Sequence, residues 1–135
     1  MKRLHTATLC LVLLSGSVAR AEPAKLNLLL LTGQNNHAWQ QTTPALKQLL
    51  ESSGRFKVDV TEHPEACTAE SLAPYDVLLS NWNAWGDDVA VKEWPEATRS
   101  AMLDFVRNGK GLAIIHAGSS SFYGWKEYHQ MVGAA

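Results

Sequence analysis

Leu26-Asn27-Leu28-Leu29-Leu30-Leu31-Thr32-Gly33 is the stretch that decides the fold. A nearly unbroken aliphatic run closed by a polar residue and a glycine suits a strand covered on both faces, as in a parallel sheet flanked by helices. A strand with one wet face would alternate instead, and Phe56, Val58 and Val60 do alternate with Lys57, Asp59 and Thr61, which assigns that second strand to a sheet edge. Between the two, Thr43-Pro44 reads as a helix cap and first-position proline, Leu46, Leu49 and Leu50 as an apolar stripe, and Gly54 as the stop. Beyond them, Val77-Leu78-Leu79, announced by the turn-like Ala73-Pro74, reads as a short central strand. Pro95 opens a helix with Ala101, Met102, Phe105 and Val106 at helical spacing and Gly109 at its end. Gly111 to Ile115 is a further buried strand, and Trp125 to Val132 a last helix.

Strand and helix therefore alternate with short connections and no internal repeat, which implies right-handed crossovers and one doubly wound α/β domain. With the half-exposed strand outermost the order is 2-1-3-4, a flavodoxin-like sheet, and the chain reverses direction between the first and third strands. Ligands of open α/β sheets bind at that reversal, beyond the carboxyl ends of the strands.

Upstream, Met1 to Ala21 has the three parts of a secretory signal peptide: Lys2 and Arg3, an apolar stretch from Leu9 to Leu14, and the small-residue close Ala19-Arg20-Ala21. The apolar stretch is far short of the ~20 residues a spanning helix needs. Cys10 follows Thr8-Leu9 rather than the small residue of a lipoprotein site. The expectation is a periplasmic or secreted protein, residues 22–135, with no membrane anchor in its mature form. Loss of Lys2, Arg3 and Arg20 moves the formal charge from −1 to −4, with no basic footprint for nucleic acid. Cys67 then has no partner for an internal disulfide, so the core alone must hold the fold. The chain finishes on Met131-Val132-Gly133-Ala134-Ala135 without a polar tail, which reads as a C-terminal truncation. A sheet of four strands would leave an edge open to aggregation or to a partner chain, so the oligomeric state stays open.

The strand-end rule selects Gly33 to Trp39, Asn81 to Asp88, and His116 to Phe122. These segments hold His37, Trp39, Trp82, Trp85 and His116, with Trp125 close behind, where surface loops ordinarily carry small polar residues. His116 ends a buried strand and precedes Ala117-Gly118 and a run of serines, a strand-to-helix turn of the kind that presents a nucleophile in related architectures. Imidazole placed there serves as general base, general acid or metal ligand; the plainer alternative is a histidine that hydrogen-bonds its own loop. His37 gains interest from its pairing with His116, because the loop Thr32 to Trp39 lacks a phosphate-binding glycine pattern. Trp39, Trp82, Trp85 and Trp125 serve either as core anchors or as a platform for the C–H faces of sugar rings, with Asn81, Asn83 and Ser119 to Ser121 bonding hydroxyls. Asp87, Asp88 and Glu93 read as solvated or capping carboxylates rather than a glycosidase pair. Cys67 reads as a structural thiol, and His63 and His129 as surface or packing residues.

Leu28 to Gly33 with His37, Tyr75 to Trp82, Phe105 to Leu112 with His116-Ala117, and Trp125 to Tyr128 with Val132-Gly133 resemble, in order and spacing, the ThuA-like (trehalose utilisation) domains. The resemblance runs through nearly all of residues 22–135. It implies a flavodoxin-like domain of the class I glutamine amidotransferase-like superfamily, found in bacterial carbohydrate-utilisation systems and in exported proteins, with members commonly about twice this length. In glutamine amidotransferases the strand-to-helix turn carries a cysteine, and His116 occupies that place here, so a cysteinyl intermediate is not expected. The leading expectation is a small-molecule carbohydrate as partner and hydrolase-like action on a sugar or oxidised sugar, with His116 and His37 in proton transfer or metal binding. Neither a cofactor nor a particular metal is indicated. Trp39, Asn81, Trp82, Trp85, Ser119 and Trp125 are the expected substrate-binding residues. The alternatives are a non-catalytic carbohydrate-binding module, which would use the tryptophans and serines, and a purely structural domain.

Overall fold

The computed structural model describes residues 23–86 and 89–133. The signal peptide read at Met1–Ala21, Asp87-Asp88 and the final two alanines lie outside the described residues. Strands β1 (Leu26–Leu31), β2 (Phe56–Thr61), β3 (Val77–Ser80) and β4 (Gly111–Ile114) form one all-parallel sheet in the order β2-β1-β3-β4. Leu28 to Leu31 are all buried, as the aliphatic run demands, and Leu30 pairs with Val60 on one side and Leu79 on the other.

Successive residues of β1 feed opposite faces. Leu28 and Leu30 join Val58 and Leu79 under Leu46 and Leu50 of helix α1 (Trp39–Ser52). Leu29 and Leu31 join Leu78 in a larger core on the other face. That core takes Leu72 from α2 (Ala69–Leu72), Ala101, Met102 and Phe105 from α3 (Glu96–Arg107), and Tyr128 from α4 (Lys126–Val132). No helix among the described residues is long and apolar enough to cross a membrane.

Three details depart from the sequence expectations. Strand β4, read as buried, is half-exposed with Ala113 exposed, because it is the outer strand of the sheet among the described residues. Helix α1 begins a turn before Thr43-Pro44, because the Ala38 carbonyl already accepts the Gln41 and Thr42 amides. Thr43 is buried and bonds its hydroxyl to that of Thr32 (2.8 Å), and Pro44 lies inside the helix, where it withholds an amide only from the exposed Gln40. The crossover from β2 to β3 contains a 3-10 turn, Pro64–Ala66, and the short α2, where only a turn at Ala73-Pro74 is expected. A reciprocal capping box between Thr68 and Ser71 starts α2, whose single turn is too short to show a helical period.

Candidate functional site

Gly33 takes the chain off the end of β1. Its φ of +99° suits glycine alone, and a Cβ there would stand 2.0 Å from the Glu62 carbonyl oxygen. The loop that follows is fastened to the loop after β3 by amide side chains. Gln34 donates to the carbonyls of Asn83 (3.0 Å) and Val91 (2.7 Å) and accepts from the Val91 amide (2.9 Å). Asn83, fully buried, donates to Asn35 Oδ1 (3.1 Å) and Asn36 Oδ1 (2.8 Å) and accepts from the Trp85 amide (3.1 Å). Asn35 Oδ1 also accepts the His37 amide (2.9 Å), so the network ends at the residue that carries the first imidazole.

His116 leaves the end of β4 with a φ of 43°, left-handed for a residue that bears a Cβ, and begins a 3-10 turn, His116–Ser120. Such a conformation costs roughly 1–2 kcal/mol and persists only where surroundings impose it. They do here. The Ile115 amide donates to Ser80 (2.9 Å), and a Cβ at the buried Gly118 would lie 2.9 Å from Ile114 Cγ2 and 3.1 Å from the Ser80 oxygen. Tyr128 donates to the Gly118 carbonyl (2.7 Å), Ser121 to that of Trp82 (3.2 Å), and Ser119 to that of His116 itself (2.9 Å).

Strands β1 and β4 flank β3, so their ends stand about 10 Å apart. Both side chains lean inward: the rings of His37 and His116 lie with centroids 5.0 Å apart and planes at 53°. Both residues are exposed, so the imidazoles are open to solvent and to a ligand. Among the described residues no group of three or more His, Cys, Asp or Glu is gathered, so these two would give a metal a partial ligand set. Cys67 lies on the β2–β3 crossover, against the core, with its thiol pushed up by burial.

The remaining candidate residues separate. Trp82 (1 % exposed) and Trp125 (3 %) belong to the core rather than to the cleft: Trp82 stacks on Phe122 at 5.1 Å, and Trp125 meets Phe122 edge to face at 5.3 Å. Their ring faces are covered by protein. Asn81 is also buried, and its side chain is engaged by Asn35 (3.3 Å) and Thr42 (3.2 Å), which makes it part of the loop fastening. Trp85 stands out at 54 % exposed, Trp39 is half-buried at the start of α1, and Ser119 is exposed beside His116. Beyond the sequence expectations, Gln34, Asn35 and Asn36 emerge as the residues that set His37. Their signal was the concentration of amides in the two loops. A cleft of about 470 Å³ opens between Trp85, Lys92, Glu93, Ser120 and Tyr123, and the imidazoles do not line it.

The sequence pattern of the ThuA family, described as trehalose utilisation, matches residues 27–135. Two solved structures share the fold. A protein described as ThuA-like from Parabacteroides merdae ATCC 43184 is 38 % identical over 79 % of this chain, with a TM-score of 0.65. Another from Bacteroides uniformis ATCC 8492 is 22 % identical over 88 % of this chain, with a TM-score of 0.62, and at that identity supports the fold alone. This chain spans 38 % and 48 % of the lengths of those two proteins. None of the curated proteins matches it.

Proposed function

The chain belongs to the ThuA family, and from that premise we propose that it is an exported carbohydrate-utilisation protein, hydrolase-like on a sugar or an oxidised sugar, in which His37 and His116 move protons. One observation carries the catalytic part: two exposed imidazoles with centroids 5.0 Å apart, one of them held in a strained backbone at the end of β4. Strain maintained by a packed loop is characteristic of functional positions. Two imidazoles so close address the same part of a ligand, where one takes a proton from water or substrate as the other gives one to the departing oxygen. Export rests on the three-part signal peptide at Met1–Ala21. The resemblance to amidotransferases puts His116 at the place of their cysteine, which supports chemistry without a thiol nucleophile.

The test is turnover of a panel of disaccharides, glycosides and their keto forms by the full chain, followed by mass spectrometry. His116→Ala and His37→Ala are each expected to lower the rate about 10²–10⁴-fold with sugar binding retained. Unchanged turnover in both variants would remove the imidazoles from the mechanism. The exposed Trp85 supports a second reading, a module that binds sugar without converting it, and binding with no turnover of any panel member would favour that reading.

A further inference from the structure

The cleft of about 470 Å³ lies apart from the imidazole pair, yet Ser120, which lines it, closes the 3-10 turn that His116 begins. We infer that this cleft is a subsite for an uncharged pyranose ring, linked to the His37–His116 pair through the His116–Ser120 turn and holding a second unit of the same saccharide. The inference rests on the carbohydrate reading above and specifies where and how the sugar is held.

The volume is in the range of small-molecule sites, roughly 300–1,000 Å³. The lining is selective. Among the described residues, the large aromatic side chains counted as exposed are Trp85 (54 %) and Tyr123 (72 %), and both line this cleft. Exposed indole and phenol faces present flat apolar surface to the C–H face of a sugar ring. The buried Phe122 contributes to the floor, and its φ of 58° is a second left-handed position. That turn sends Phe122 into the aromatic core and leaves Tyr123 outside.

The polar groups fit a diol. Glu93 supplies an acceptor, Lys92 a donor, and Ser120 a hydroxyl that is both. Vicinal sugar hydroxyls likewise donate and accept, and among the described lining residues the opposite charges of Lys92 and Glu93 balance. Arg99 holds Glu93 by Oε2 (Nη1 at 3.6 Å), which fixes the carboxylate at the cleft wall. The Trp85 amide is tied to Asn83, so the indole stands on the same fastened loop as the site.

Isothermal titration of the full chain with methyl glucoside, trehalose and gluconate tests this. The neutral sugars are expected to bind, with Trp85→Ala, Tyr123→Ala and Glu93→Gln each weakening them about tenfold. All three cleft residues are at the surface, and circular dichroism reports whether each variant keeps the fold. Wild-type affinity in all three cleft variants, tighter binding of gluconate than of neutral sugar, or no binding of neutral sugar would each overturn the subsite. Those results leave the imidazole reading standing if His116→Ala still abolishes turnover. Conversely, full turnover in His116→Ala with weakened binding in Trp85→Ala would keep the subsite and remove the catalytic pair.

Discussion

Single residues define this site by where the backbone is forced. Gly33 is the clearest case, since its φ of +99° and the Glu62 carbonyl, which would lie 2.0 Å from a Cβ, exclude every other side chain. Gly33→Ala is expected to destabilise the protein by roughly 2–4 kcal/mol, read as a lowered urea midpoint with an unchanged slope. A loss under about 1 kcal/mol would mean that the loop relaxes and does not fix His37. His116 bears the same kind of strain with its side chain retained, which is expected where an imidazole is needed at a position that otherwise favours glycine. Its pairing with His37 was legible in the sequence because both residues close or follow aliphatic strands, and strand order fixes which ends converge. The burial of Trp82 and Trp125 was not legible. Tryptophan suits both core and cleft, and the irregular backbone after β3 and β4 has no period to say which way a ring turns.

At the scale of elements, the two loops behave as one body because their amides bond across nearly fifty positions of sequence. That coupling is invisible to local patterning: side-chain bonds between distant segments have no spacing rule, whereas strands and long helices do. The same reasoning explains the late start read for α1, where the local cap signal of Thr43-Pro44 yields to the tertiary bond between Thr43 and Thr32. Asn83 is the keystone, bonding Asn35, Asn36 and the Trp85 amide at once while fully buried. Asn83→Ala leaves two acceptor oxygens and one amide without this partner, so a loss of roughly 2–3 kcal/mol is expected. It should fall on turnover as well as stability, because Asn35 also holds the His37 amide. Thermal melting alongside the sugar assay checks both; a variant as stable and as active as wild type would show that the loops dock without Asn83.

For the molecule as a whole, stability depends on packing around one small sheet, and its two outer strands are unequally protected. Edge strand β2 carries Lys57 and Asp59, charges that discourage pairing with another chain, whereas β4 (Gly111-Leu112-Ala113-Ile114) carries none. What shields the site side of β4 is α4, through Tyr128, fully buried and bonded to the Gly118 carbonyl within the His116 turn. Burial pushes the Tyr128 hydroxyl far above its ordinary value of 10.0, against a smaller opposing effect of Ser80. A phenol held neutral in the fold binds its proton more tightly than in the unfolded chain, so its contribution is complete below pH 10.0 and declines as pH rises beyond that point. Tyr128→Phe removes both the hydrogen bond and the titration. Below pH 9 the variant should be less stable than wild type by about 1 kcal/mol. One unit above the ordinary tyrosine value, wild type should have lost roughly 1 kcal/mol that the variant keeps, and the difference between them should shrink toward zero. Urea midpoints of both proteins at pH 8 and pH 11 measure it, and a difference that stays constant between the two would show that the Tyr128 hydroxyl is not sealed from solvent in the folded protein.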